Sequence, residues 1–114
     1  MTPRDDATVL DILNACRLAL DFAANMDRTA FAADAKTQAA VIHELTVIGE
    51  AAKRLTAEFK DGINDVPWRA IAGMRDKLIH HYSVVDLDEV WKAVSVDVPR
   101  LLQTLAPLAP KPRE

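Results

Sequence analysis

The chain has 114 residues, half of them hydrophobic, with 5% aromatic residues and only three glycines. That is enough for one hydrophobic core and too little for two, and an apolar supply of mostly Ala, Leu, Val and Ile favours packed helices over a turn-rich β-sandwich. A net charge of -3 excludes both a global basic field for nucleic acid and an acidic disordered tail.

A single cysteine, Cys16, excludes a disulfide framework and a cysteine-based zinc site. Spaced three and four residues from Leu13, Ile12 and Leu20, it is expected to be buried and inert. The start, MTPRDDATVLDIL, is acidic where a secretory signal needs a basic region followed by an apolar one. The longest stretch free of Asp, Glu, Lys and Arg is ten residues, Leu101 to Pro110. A membrane helix needs about 20 apolar residues, so the chain is expected to be cytoplasmic and to have no membrane partner.

The first helix is predicted from about Asp6 to Met26, with Val9, Ile12, Leu13, Cys16, Leu20 and Ala23 recurring at three- and four-residue steps. The second is predicted from about Asp34 to Phe59. Its seam is Val41, Leu45, Ile48, Ala52, Leu55 and Phe59. Gly49 lies inside it, where glycine costs about 1 kcal/mol relative to Ala, so a close backbone contact is expected there.

The segment KDGINDVP, Lys60 to Pro67, reads as a loop, with Asp65 as a candidate cap and Pro67 in the first turn of a third helix. Ile71, Met74 and Leu78 form the narrow apolar stripe of that helix, which is predicted to end near Tyr82. After a connection at Ser83 to Val85, Asp86 and Glu89 resemble a capping box opening a fourth helix. Its seam is Leu87, Val90, Trp91, Val94, Val98, Leu101 and Leu105, and Pro99 predicts a kink near Val98. The expectation is one all-α domain, an antiparallel bundle of four to five helices over residues 1–106. The proline-rich tail, residues 107–114, is expected to be disordered.

Residues 53–82 carry six basic and four acidic side chains, a net +2 inside an acidic protein. A locally basic segment suits a phosphate-bearing ligand as well as an ordinary solvated face. At about 100° per residue, Arg69, Gly73, Asp76 and His80 share one face of the third helix, while Arg75 lies about 40° from Ile71. On that face Asp76 is placed to hold a ring nitrogen of His80, and Gly73 leaves the approach open. Arg75 can reach a phosphate. Asp76 and His80 alone make a weak metal site, so no metal or other cofactor is expected. His43 stands by itself in the second helix.

An arginine beside a histidine of adjustable pKa is the minimum equipment for cutting RNA without a metal. The imidazole moves a proton and the guanidinium stabilises charge on phosphoryl oxygens. One histidine cannot conveniently be base and acid in one turnover. A two-fold homodimer would supply a second His80 and a second Arg75.

The run Arg75, four residues, His80, one residue, Tyr82 resembles the RX4HXY signature of HepT-like toxins, small helical RNases of the HEPN superfamily. IGEAAKRL (Ile48–Leu55), VPWRAIAGMRDKLIHHY (Val66–Tyr82) and VDLDEVWKAV (Val85–Val94) also resemble that family's text, in order and at the expected spacing. The resemblance implies a HEPN-like homodimer with its active site near the interface and with Arg75 and His80 as the catalytic pair. It further implies a toxin–antitoxin pairing with an MntA-like nucleotidyltransferase that transfers AMP to Tyr82. Asp76 stands where the family often has Asn. Asp76, Gly73 and His81 are then supporting residues, and Arg69 and Lys77 are expected to contact RNA phosphates. The rival expectations are a non-catalytic HEPN-like module that binds a nucleotide or docks a nucleotidyltransferase, and a purely structural helical dimer.

Overall fold

The structure is a computed structural model that describes residues 2–80 and 85–110. The described residues form helices, turns and connections and contain no strand. His81, Tyr82 and most of the predicted Ser83–Val85 connection lie outside them, as do residues 111–114 of the proline-rich tail.

Helix α1 (Pro3–Phe22) begins where Thr2 and Asp5 form a reciprocal capping box. It ends four residues earlier than predicted, because Asn25 takes a left-handed backbone (φ 64°) that stops the helix. A one-turn helix that the apolar spacing did not announce, α2 (Arg28–Ala32), follows. Asp27 caps it by accepting a hydrogen bond from the Ala30 N–H at 2.8 Å. Its value to the core is Phe31, fully buried and tilted against Trp91 with ring centroids 5.3 Å apart.

Helix α3 (Ala35–Arg54) starts at the Asp34 cap as the sequence suggests, but does not run on to Phe59. The chain is extended at Leu55 and Thr56, then resumes as α4 (Ala57–Asp61), so Lys60 is helical rather than part of the loop. The break has a tertiary cause. Asp5, 1% exposed, accepts from the Thr56 N–H at 2.9 Å and the Thr56 hydroxyl at 2.7 Å, while Thr56 Oγ1 accepts from the Phe59 N–H. One carboxylate therefore ties the start of α1 to the end of α3, which sets these two helices antiparallel.

Helix α5 (Trp68–His80) follows a loop closed by the Trp68 indole, which donates to the Ile63 carbonyl at 3.3 Å. Pro67 stands just ahead of the first helical residue. Asp65 makes no capping bond among the described residues; the Pro67 carbonyl accepts from the Ile71 N–H instead. Helix α6 (Leu87–Lys92) is capped by Asp86, which accepts from the Asp88 N–H. The expected return bond from Glu89 is absent, because that side chain faces Lys77 on α5 at 3.4 Å.

The kink predicted at Pro99 becomes a π-helical turn at Ala93–Asp97 ahead of α7 (Val98–Leu105). Proline has no N–H and its ring crowds the carbonyl four residues back. The widened turn, in which the Val98 N–H donates to the Ala93 carbonyl five residues earlier, makes room for that ring. The chain continues as a short 3-10 turn at Ala106–Leu108, and Ala109 packs against the core.

The core lies where the three long seams meet. Val9, Ile12, Leu13 and Cys16 pack with Val41, Leu45, Ile48 and Ala51, and with Val90, Val94, Val98, Leu101 and Leu105, all buried. Burial pushes the Cys16 thiol up to about 12, so it is a small hydrophobe and not a nucleophile. Helix α5 is an edge element that packs mainly on α3. A groove of about 910 Å³ separates it from α6 and α7.

The Asp5–Thr56 tie should be measurable. Thr56→Ala removes a cap and one of the Asp5 hydrogen bonds, and should cost about 1 kcal/mol, roughly 4–8 °C in Tm. The hydrogen bonds from Thr56, the backbone N–H first, hold the Asp5 carboxyl below its ordinary 3.8. A depressed folded-state pKa stabilises above the unfolded value and is lost as pH falls through the folded one. Wild-type Tm should therefore drop below about pH 4, and Asp5→Asn should flatten that part of the curve.

Candidate active site

The site is built where α5 crosses α3. Gly49 makes the crossing close. A Cβ placed there would lie 2.2 Å from Arg75 Cβ and 3.1 Å from the Ile71 carbonyl oxygen. The close contact expected of a mid-helix glycine is real, and what fills the space is the stem of the motif arginine.

Beyond that stem, Arg75 is clamped. Its Nη2 donates to Glu50 Oε2 at 3.0 Å and its Nη1 to Asp76 Oδ1 at 3.1 Å. The same Asp76 oxygen accepts from Lys53 Nζ at 2.6 Å. Glu50, Arg75, Asp76 and Lys53 thus form a charge-neutral chain between the two helices. The Arg75 Nε–H is buried and has no partner among the described residues. Hydrogen bonds to Glu50 and then Asp76 raise the Arg75 pKa above its ordinary value, and those from Lys53 and then Arg75 lower that of Asp76. Both groups stay charged at neutral pH.

The expected contact of Asp76 with His80 is absent. A carboxylate already paired with two cations gains little from a third donor, and His80 is exposed at the last described turn of α5. Arg75 and His80 are five residues apart on one helix, about 7.5 Å along the axis and about 140° around it. Arg75 faces α3, and His80 projects with Gly73 and Lys77 on another side. Gly73 is exposed, and a Cβ placed on it would meet nothing within 4 Å, so this face is open.

Of the expected phosphate contacts, Arg69 is exposed and makes no ion pair among the described residues, whereas Lys77 pairs with Glu89 at the edge of the groove. His43 is exposed beside Glu44 and takes no part in the site. Sequence reasoning missed Glu50 and Lys53 as partners of the motif. The available signal was a mid-helix glycine followed by charges one and four residues later, Glu50 and Lys53. His81 and Tyr82 lie outside the described residues. No group of three or more His, Cys, Asp or Glu among the described residues is arranged to hold a metal ion.

A helical fold with an arginine clamped at a two-helix crossing and a histidine one and a half turns further on defines the class. Residues 12–108 match the model of the Ribonuclease HepT-like family, and the chain belongs to that family. It is similar to "Probable ribonuclease HepT" of Thermococcus cleftensis, 45% identical over 91 residues that cover 80% of this chain and 83% of that protein. It is also similar to "Putative RNase MJ0127" of Methanocaldococcus jannaschii, 42% identical over 99 residues covering 85% and 82% of the two chains. No solved structure gives a significant match.

Gly49 and Gly73 make a paired test of the geometry. Gly49→Ala should lose about 1–2 kcal/mol in urea unfolding, because overpacking outweighs the gain of about 1 kcal/mol in helix propensity. Gly73→Ala, with open space around it, should be neutral or stabilising by up to about 1 kcal/mol.

Proposed function

We propose that the protein is a metal-independent RNA endonuclease whose catalytic residues are Arg75 and His80, and that it acts as the toxin of a toxin–antitoxin pair. The observation that carries this reading is the preset Arg75 guanidinium, paired with an exposed His80 on one helix of a chain that belongs to the Ribonuclease HepT-like family.

In the proposed reaction a 2′-hydroxyl loses its proton to a base and attacks the adjacent phosphorus. The new O–P bond forms as the bond to the 5′-oxygen breaks, and that oxygen leaves with a proton from an acid. Arg75 stabilises the negative charge that grows on the non-bridging oxygens. His80 supplies one of the two proton transfers. The angular separation of Arg75 and His80 on a single helix favours a composite site, in which two protomers related by a two-fold axis each contribute to one cut. The open α5 face around Gly73 suits such a partner, and Arg69 suits attraction of the RNA backbone.

The proposed antitoxin is an MntA-like nucleotidyltransferase that places AMP on Tyr82, two residues past His80. A phosphate there would compete with RNA for Arg75, so modification would silence the enzyme. Location in the cytoplasm fits this scheme, as does the absence of any described helix long and apolar enough to cross a membrane.

Purified protein should cut RNA with or without EDTA and run as a dimer by light scattering. Arg75→Ala should lower kcat by about 10²–10³ and His80→Ala by about 10²–10⁴, with circular dichroism unchanged. Wild-type protein that leaves RNA intact would replace this reading with the non-catalytic binding module.

Co-expression with the nucleotidyltransferase supplies a separate check by intact-mass spectrometry. Wild-type protein should gain the mass of AMP, while Tyr82→Phe should stay unmodified and remain toxic. An unmodified wild-type chain in a silenced complex would show steric blocking instead.

A further inference from the structure

We infer that Glu50 is a positioning residue for Arg75, an inference that rests on the RNase reading above. Three independent restraints on one side chain give it this role.

The first acts on the stem. Arg75 Cβ and Cγ lie 2.2 and 2.9 Å from where a Gly49 Cβ would be, so the side chain leaves α5 along the surface of α3. The second acts on the fork. Glu50 holds Nη2 at 3.0 Å and Asp76 holds Nη1 at 3.1 Å, so both ends of the guanidinium plane are fixed. The third acts on the clamp itself. Lys53, one turn after Glu50 on α3, holds Asp76 at 2.6 Å and prevents it from following Arg75 outward.

Fold stability does not explain the arrangement. The Glu50, Asp76 and Lys53 side chains are 52%, 47% and 41% exposed, and ion pairs at such exposure contribute little to folding. The geometry also leaves the Arg75 Nε–H buried without a partner among the described residues, which a side chain free to reorient would relieve. What the clamp secures is orientation.

The donor count shows the consequence. A guanidinium has five N–H groups. One is the buried Nε–H, and one on each Nη is held by a carboxylate. One N–H on each Nη remains, at a fixed angle, for the oxygens of a phosphate. A preset pair of donors acts on the transition state without first paying the entropy of ordering it. Glu50 therefore affects turnover through Arg75. Its negative charge gives it no attraction for RNA.

Three variants and two readouts test this. Glu50→Ala should lower kcat by about 10–100-fold with KM unchanged or lower and Tm nearly constant. Glu50→Gln keeps an oxygen that accepts the same hydrogen bond, and should restore most of kcat. In 15N-labelled protein the Arg75 Nε–H resonance, assigned by its loss in Arg75→Lys, should be sharp and slow to exchange. It should broaden in Glu50→Ala and persist in Glu50→Gln.

Unchanged kcat in Glu50→Ala would overturn the inference. Faster cleavage in both Glu50 variants would also overturn it, showing that the carboxylate holds Arg75 back from RNA. If wild-type protein cuts no RNA, the RNase reading fails by itself. The nuclear resonance then decides alone whether Glu50 sets Arg75: a sharp signal that survives Glu50→Ala overturns the positioning role.

Discussion

The close approach of α3 and α5 at Gly49 is the constraint on which the site depends. A helix pair usually keeps its axes apart by the thickness of its side chains. Here one side is missing, and the stem of Arg75 takes the space. The arginine is thus packed as a hydrophobic residue along its methylenes and presented as a cation at its tip. Three features of the site follow from that seating: the reach to Glu50, the sharing of Asp76 with Lys53, and an Nε–H with no partner among the described residues.

Most of the fold was legible because burial follows period. Most of the seam residues read at three- and four-residue steps on the first, second and fourth helices are buried, and Leu20, Ala23, Phe59, Leu87 and Trp91 pack half-buried against them. The early end of α1 is local, at Asn25, but two other failures depend on groups distant in sequence. No local rule ends α3 at Leu55; the Asp5 carboxylate, 51 residues away from Thr56, does so. Nor does local spacing announce α2, whose one buried side chain finds its partner in Trp91. At Pro99 the local signal was sound, and only the form of the answer, a π-helical turn, was left open.

The site divides in the same way. Gly49 as a place of close approach and Arg75 as a reaching cation could be read from position and residue type alone. The Asp76–His80 pair could be drawn on a helical wheel, and failed because the wheel omits α3. Lys53 and Arg75 are better partners for a carboxylate than an exposed imidazole. Glu50 went unnoticed for the same reason, since its meaning appears only when the neighbouring helix is in place.

The peripheral seat of α5 has a consequence for what can vary on it. Leu78 is its only buried residue among those described, and the groove keeps most of its apolar stripe from packing on α6 and α7. What holds the helix is therefore its long seam with α3, which closes tightly at Gly49. Among the described residues, the core between α1, α3 and α7 is packed largely without it. Arg75 and His80 thus sit on an element that lends the core one buried side chain, Leu78, among the described residues. The flank of the motif helix that borders the groove can therefore change sequence at little cost to that core.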